Sequence, residues 1–349
     1  MTSRNAQNAV AARARAMFGK SLQYDDYQAL LACRSVGEVT AYLKANTPYA
    51  SVLAEVNGDT VHREFLERRL RQYLWNCCAS LIRLDLSAGE LISGYLIQRE
   101  ETAELMRLLR EMNVDRAVEY IIALPSFFAH HTDMDLLAVN RAGNMRELVA
   151  ALEHTAYHAP LLPFRDRENG TLPLEEMETA LYALLARRLL RNIESASGEK
   201  RRQLTALCGV ELDARNVSRI LRLKKYFHAS PGMIRSRLLP PGGVISPAAR
   251  ERILEAEPEE IPGLFYASPA GRHIPPAHRA HTVDLPERAV YFTARHYLHF
   301  STYPTVVLLA FIAVMETELI DIVNIIEGIY YRLPPEEIRP LLILGLERG

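Results

Sequence analysis

The chain has 349 residues, 49% of them apolar, and a formal net charge of −1 at neutral pH. That length exceeds one small core and points to two or three domains. A net charge this close to zero excludes the whole-protein attraction to nucleic acid that a basic domain shows. Only five of the 41 basic residues are lysine, namely Lys20, Lys44, Lys200, Lys224 and Lys225. The bias toward arginine suits planar, bidentate contacts between proteins.

The opening stretch alternates small residues with arginines and lacks the apolar run of a secretory signal. Gly19-Lys20-Ser21 imitates the end of a phosphate-binding loop, but Ala14 stands where that loop needs glycine and the preceding pattern is helical. Val36 to Leu43, running to Thr47-Pro48-Tyr49, predicts a short helix and a turn. Leu66, Leu70, Leu74, Cys77 and Leu81 recur at threes and fours and predict an amphipathic helix over 65–82. On the next helix, Glu100, Glu101 and Glu104 could be cast as paired acids. Only their proximity supports acid–base work, so they read as a solvated helix face.

His130-His131 reads as an exposed loop pair. Gly143 to Leu152, running to Thr155-Ala156-Tyr157, repeats the short helix and turn. Met177, Leu181, Leu184, Leu185 and Leu189 predict a second amphipathic helix. A third short helix runs from Glu260-Ile261 to Ser268-Pro269-Ala270. Loops are expected at Asn57-Gly58-Asp59, Asn169-Gly170, Pro240-Pro241-Gly242-Gly243 and Pro275 to His281. His273, His278 and His281, and the pair His296-x-x-His299, lack the glutamate and cysteine companions of a zinc site, so no metal or other cofactor is expected. Val306 to Met315 is too short to span a bilayer, which needs about 20 apolar residues. Cys33, Cys77, Cys78 and Cys208 read as buried thiols of a cytosolic protein.

Three landmarks recur in one order. The short helix and turn recurs at Thr47, Thr155 and Ser268, in steps of 108 and 113. The amphipathic helix recurs as Glu67-x-x-Leu70, Glu178-x-x-Leu181 and Glu287-x-x-Val290, in steps of 111 and 109. A polar triplet recurs as Glu101-x-x-Glu104-x-x-Arg107, Asp213-x-x-Asn216-x-x-Arg219 and Asp321-x-x-Asn324-x-x-Glu327, in steps of 112 and 108. One period in three landmarks predicts an all-α protein of three similar helical domains, residues 1–120, 121–236 and 237–349, around a pseudo-three-fold axis. The triplets read either as helix-packing networks inside each domain or as polar faces that hold a partner. An active site rarely appears in triplicate, and neither G-x-S-x-G nor G-x-G-x-x-G is present, so the chain is not expected to be an enzyme.

The segment Asp321-Ile-Val-Asn324-Ile-Ile-Glu-Gly328-Ile-Tyr-Tyr-Arg-Leu333-Pro334-Pro335-Glu336-Glu337-Ile338 is distinctive. It resembles the C-terminal signature of the central-stalk socket family of the V/A-type ATPase (ATP synthase), the component designated C and equivalent to the eukaryotic component designated d. Gly209 to Arg222, Leu238 to Pro247 and Leu22 to Tyr27 match the same family. The resemblance implies a non-catalytic rotor part whose three helical domains form a funnel. One side receives the central-stalk subunits of the ATPase head and the other sits on the membrane proteolipid ring. Such a part transmits torque for proton or sodium transport, has no membrane span of its own, and lies on the cytoplasmic side as a monomer within the complex. Glu101 and Glu104 depart from the family's aspartate and asparagine, which predicts unequal contributions from the three copies. A helical scaffold or adaptor unrelated to ion transport is the competing expectation.

Overall fold

The computed structural model describes residues 3–57, 63–83, 89–114, 122, 124, 129–240, 242–279 and 284–344. Gly58, Asp59, Pro241 and His281 of the expected loops lie outside the described residues. Every regular element among the described residues is helical. The first group comprises α1 (Ser3–Phe18), α2 (Tyr24–Leu31), α3 (Val36–Asn46), α4 (Ala50–Leu53), α5 (Arg63–Ile82) and α6 (Gly89–Asn113). Then follow α7 (Leu136–Arg141), α8 (Met145–Ala151), α9 (His158–Leu161), α10 (Leu174–Glu194) and α11 (Gly198–Phe227). The last are α12 (Pro231–Arg235), α13 (Pro247–Glu255), α14 (Ile261–Ala267), α15 (Leu285–Phe300), α16 (Pro304–Tyr330) and α17 (Pro335–Ile338).

Local chemistry sets the helix ends. Ser35 and Asn144 cap α3 and α8 by accepting the N–H of Glu38 and Glu147, and each glutamate reaches back to the chain before its helix. Pro304 and Pro335 open α16 and α17 at positions where a missing N–H costs nothing. α10 buries Met177, Leu181, Leu185 and Leu189 and keeps Glu175 and Glu176 in its first turn, where the helix dipole favours acids. α16 is apolar on nearly every side and is buried accordingly, from Val306 through Ile329. No helix among the described residues is long and apolar enough to cross a membrane.

The core divides along α11. One cluster runs from Ala11 to Cys208 and rejoins at Tyr291 through Ile343; a second gathers Val210, Ile220, Ile245, Phe265 and Leu285. The long helices pack on distant partners. α6 lies on α10, α11 on α15, and α16 on α15 together with α1, α3 and α5 from the other end of the sequence. Divisions at residues 120 and 236 therefore separate each long helix from part of what it packs against. Arg15 reinforces the closure by donating to the carbonyls of Leu298 and Ser301, and Arg339 by donating to Gln28.

Candidate functional site

The repeated polar positions sit at the joints between the long helices and the short helices and loops that cover them. On α16 the Asp321 carboxylate, fully buried, accepts the backbone N–H groups of Ile343 (2.9 Å) and Leu344 (2.7 Å). One turn on, Asn324 donates to the Leu341 carbonyl at 3.0 Å. α11 repeats this arrangement. Asp213 accepts the N–H groups of Val244 (2.5 Å) and Ile245 (2.8 Å), and Asn216 exchanges two hydrogen bonds with the backbone of Leu239. Arg219 holds the same loop from the next turn through the Arg237 carbonyl at 2.7 Å. The loop passes so close that a Cβ on Gly243 would collide with the Asp213 carboxylate, which explains a glycine there.

Burial sets the electrostatics. Removal from water raises the Asp213 carboxyl to about 6, although the Ile245 and Val244 N–H groups pull it down. Burial likewise lifts Asp321 to about 8, against the pull of its two N–H partners and of nearby Arg288. Glu318, one turn before Asp321, rises to about 7 for the same reason. Its two oxygens accept the Leu22 N–H at 2.7 Å and the Tyr49 hydroxyl at 2.9 Å. Burial lowers the Arg219 guanidinium.

In the first copy, Glu101 accepts the Tyr157 hydroxyl at 2.6 Å and also the Thr132 hydroxyl, while Glu104 pairs with Arg107. Glu100, Glu101 and Glu104 are each less than 9% exposed. The expectation of a solvated helix face is therefore corrected. The glutamates face inward because the helix stripe that carries them, with Leu105 and Leu108, is covered by neighbouring elements.

These bonds also correct the register of the repeat. Glu101 and Glu318 do the same task, each accepting a tyrosine hydroxyl. That tyrosine follows a threonine whose Oγ accepts its N–H and donates to the helix behind, in Thr47–Tyr49 and again in Thr155–Tyr157. Glu101 therefore corresponds to Glu318 and Glu104 to Asp321. The position matching Glu101 on α11 is Val210, and the turn that faces it carries Ala270 in the tyrosine's place, with no hydroxyl to offer. Carboxylate and phenol are lost together. On α5, α10 and α15 the buried Leu66, Met177 and Leu285, with Leu70, Leu181 and Ala289 one turn on, share one register, in which Glu67 matches Glu178 and Pro286 stands in the third place instead of Glu287.

Sequence reasoning missed Glu318, Tyr49 and Tyr157. The recurring Thr-x-Tyr was the available signal. It also missed the half-buried ion pair of Arg99 with Glu316. Of the histidines, His278 is buried at 2.9 Å from Arg288, and His273 stacks on His296. No grouping of His, Cys, Asp or Glu that could hold a metal ion occurs among the described residues. Cys77, Cys78 and Cys208 are buried and Cys33 half-buried, all as free thiols.

The arrangement defines an all-helical protein whose repeated polar side chains bond to its own covering segments. The family model described as ATP synthase (C/AC39) subunit matches residues 10–341, and the chain belongs to that family. It is 24% identical to the A-type ATP synthase component designated C of Thermococcus kodakarensis over 234 residues, covering 67% of this chain and 61% of the relative. Its counterpart of the same designation in Pyrococcus horikoshii is 28% identical over 214 residues, covering 59% and 56%. That of Pyrococcus furiosus is 32% identical over 123 residues, covering 34% and 31%. The matched part of the chain thus spans about three fifths or less of these curated relatives.

Proposed function

We propose that the chain is a non-catalytic coupling subunit of a V/A-type ATPase. In this reading three helical units, broadly residues 1–120, 121–236 and 237–349, surround a pseudo-three-fold axis as a funnel. One side receives the central-stalk subunits and the other rests on the proteolipid ring, so that torque passes between them during proton or sodium transport. The protein lies at the cytoplasmic face, held to the membrane through the complex, as one copy per assembly. The family match over residues 10–341 is the observation that carries this reading.

The joints support a mechanical role. Torque transmission requires a body that does not shear, and carboxylates that accept two hydrogen bonds from a covering loop fix that loop against a long helix. Under this proposal Glu101, Glu104, Asp213 and Asp321 serve the partner interface from beneath by holding the covering segments in place. Arg107, Asn216, Arg219 and Asn324 act with them. Co-purification in mild detergent tests the proposal: a tagged chain should bring down the stalk subunits and the proteolipid ring. A folded chain that captures neither overturns it.

A further inference from the structure

The C-terminal end of α15 meets three other parts of the chain. Arg15 of α1 donates to the carbonyls of Leu298 (2.8 Å) and Ser301 (2.6 Å). The Ser301 hydroxyl donates to Gln203 of α11 at 2.6 Å. His273, in the loop after α14, stacks on His296 with ring centroids 5.5 Å apart. Phe300 closes α15 and is 74% exposed, the highest value for a large apolar side chain among the described residues. The rings of His296 and His299 lie beside it, with centroids at 5.1 and 6.3 Å.

The charges that reach these rings are nearly all positive. His273 is held below the ordinary histidine value by burial and then by Arg272 and His296; His299 is held down by burial and then by Arg295 and Arg15. Tyr297, between them, feels Arg272, Arg202 and Glu199, and that single acid is already paired with Arg202. Arg201 follows on α11, and Lys20 lies two residues beyond Phe18, whose ring meets His299 at 5.5 Å. Lys20, Arg201, Arg272 and Arg295 are exposed and have no ion pair among the described residues. A chain of net charge −1 thus gathers unpaired cations around its most exposed aromatic ring.

We infer that this end of α15 is a seat for anionic lipid headgroups, with Phe300 entering between them while Arg272 and Arg295 meet their phosphates. The cations flank the ring on two sides, Arg272 by way of His273 and His296, and Arg295 beside His299. Amphipathic rings backed by cations are the side chains found where lipid meets water. The inference goes beyond the rotor reading and stands without it, because no other subunit takes part.

Flotation of the full chain with lipid vesicles tests it. Phosphatidylcholine vesicles containing about one third phosphatidylglycerol should carry the chain upward at low salt and release it as salt rises. Phosphatidylcholine alone should not carry it. Arg272→Gln and Arg295→Gln should each weaken binding about fivefold. Phe300→Ser should weaken it about tenfold. Arg146→Gln, the same charge change at an exposed position on α8, should leave binding unchanged. No flotation of the folded chain, equal flotation with both vesicles, or an equal loss in all four variants would overturn the inference. Capture of the chain by poly-L-glutamate but not by vesicles would do so too, since the patch would then serve an acidic polypeptide.

Discussion

At α16, Glu318 and Asp321 clamp segments from both ends of the chain, and Arg288 fills the space beside them. At the corresponding place on α11, Asp213 clamps a single loop, Val210 replaces the glutamate, and Ala180 on α10 stands where α15 has Arg288. One scaffold thus supports a dense polar joint and a sparse one. The dense joint is where no peptide bond connects the parts: Leu22 and Glu318 are 296 residues apart. On α11 the loop follows its helix directly, so chain connectivity already limits its excursions, and fewer specific bonds hold it.

Breaking the dense joint at its centre should have the largest effect. Arg288→Met takes the buried guanidinium from partly exposed Asp284 and from two loop carbonyls, and should cost about 3–5 kcal/mol in urea denaturation. If the loss is below about 1 kcal/mol, the guanidinium is not what separates the two joints. Tyr49→Phe removes one of the two donors to buried Glu318 and should cost about 1–3 kcal/mol by the same measurement. Tyr157→Phe should behave alike, since Glu101 depends on that hydroxyl.

Acidity offers a third separation. Asp321 and Glu318 have folded-state values near 8 and 7, above their ordinary 3.8 and 4.5, so the folded protein binds protons more tightly than the unfolded chain. Their contribution to stability is fully present below about pH 4. It is lost as pH rises through the window up to about 8, with a slope set by the extra protons bound. Asp321→Asn should flatten the decline of the thermal midpoint between about pH 5 and pH 8. An unchanged slope would show that Asp321 does not titrate there. Arg71→Met sharpens the contrast from the other side. Its pair with Glu67 is 38% exposed on the arginine, so the loss should stay within about 1 kcal/mol.

Much of this was legible in the sequence. Threes-and-fours spacing located α5 to within two residues and placed the apolar stripe of α10 between Met177 and Leu189. The period of about 110 residues was also visible. The register was not. Glu101-x-x-Glu104 looks like Asp213-x-x-Asn216, and only the tyrosine hydroxyls reveal that Glu101 matches Glu318 and, on α11, the silent Val210. A position that has lost its polar group carries no pattern to align. Nor does amphipathic spacing name the surface a stripe will meet, so the packing of α16 on α1, α3 and α5 could not be read from the helices one at a time.

That packing has a consequence during synthesis. A ribosome delivers α1 to α5 long before α16 emerges, and the apolar faces of Leu43, Leu66 and Leu70 have no permanent cover until it does. The middle of the nascent polypeptide can mature first, while its leading end waits for the trailing one. Contacts across so great a separation form slowly. Deleting α16 should therefore leave the opening hundred residues exposed to proteases and chaperones, with α10 and its neighbours still folded.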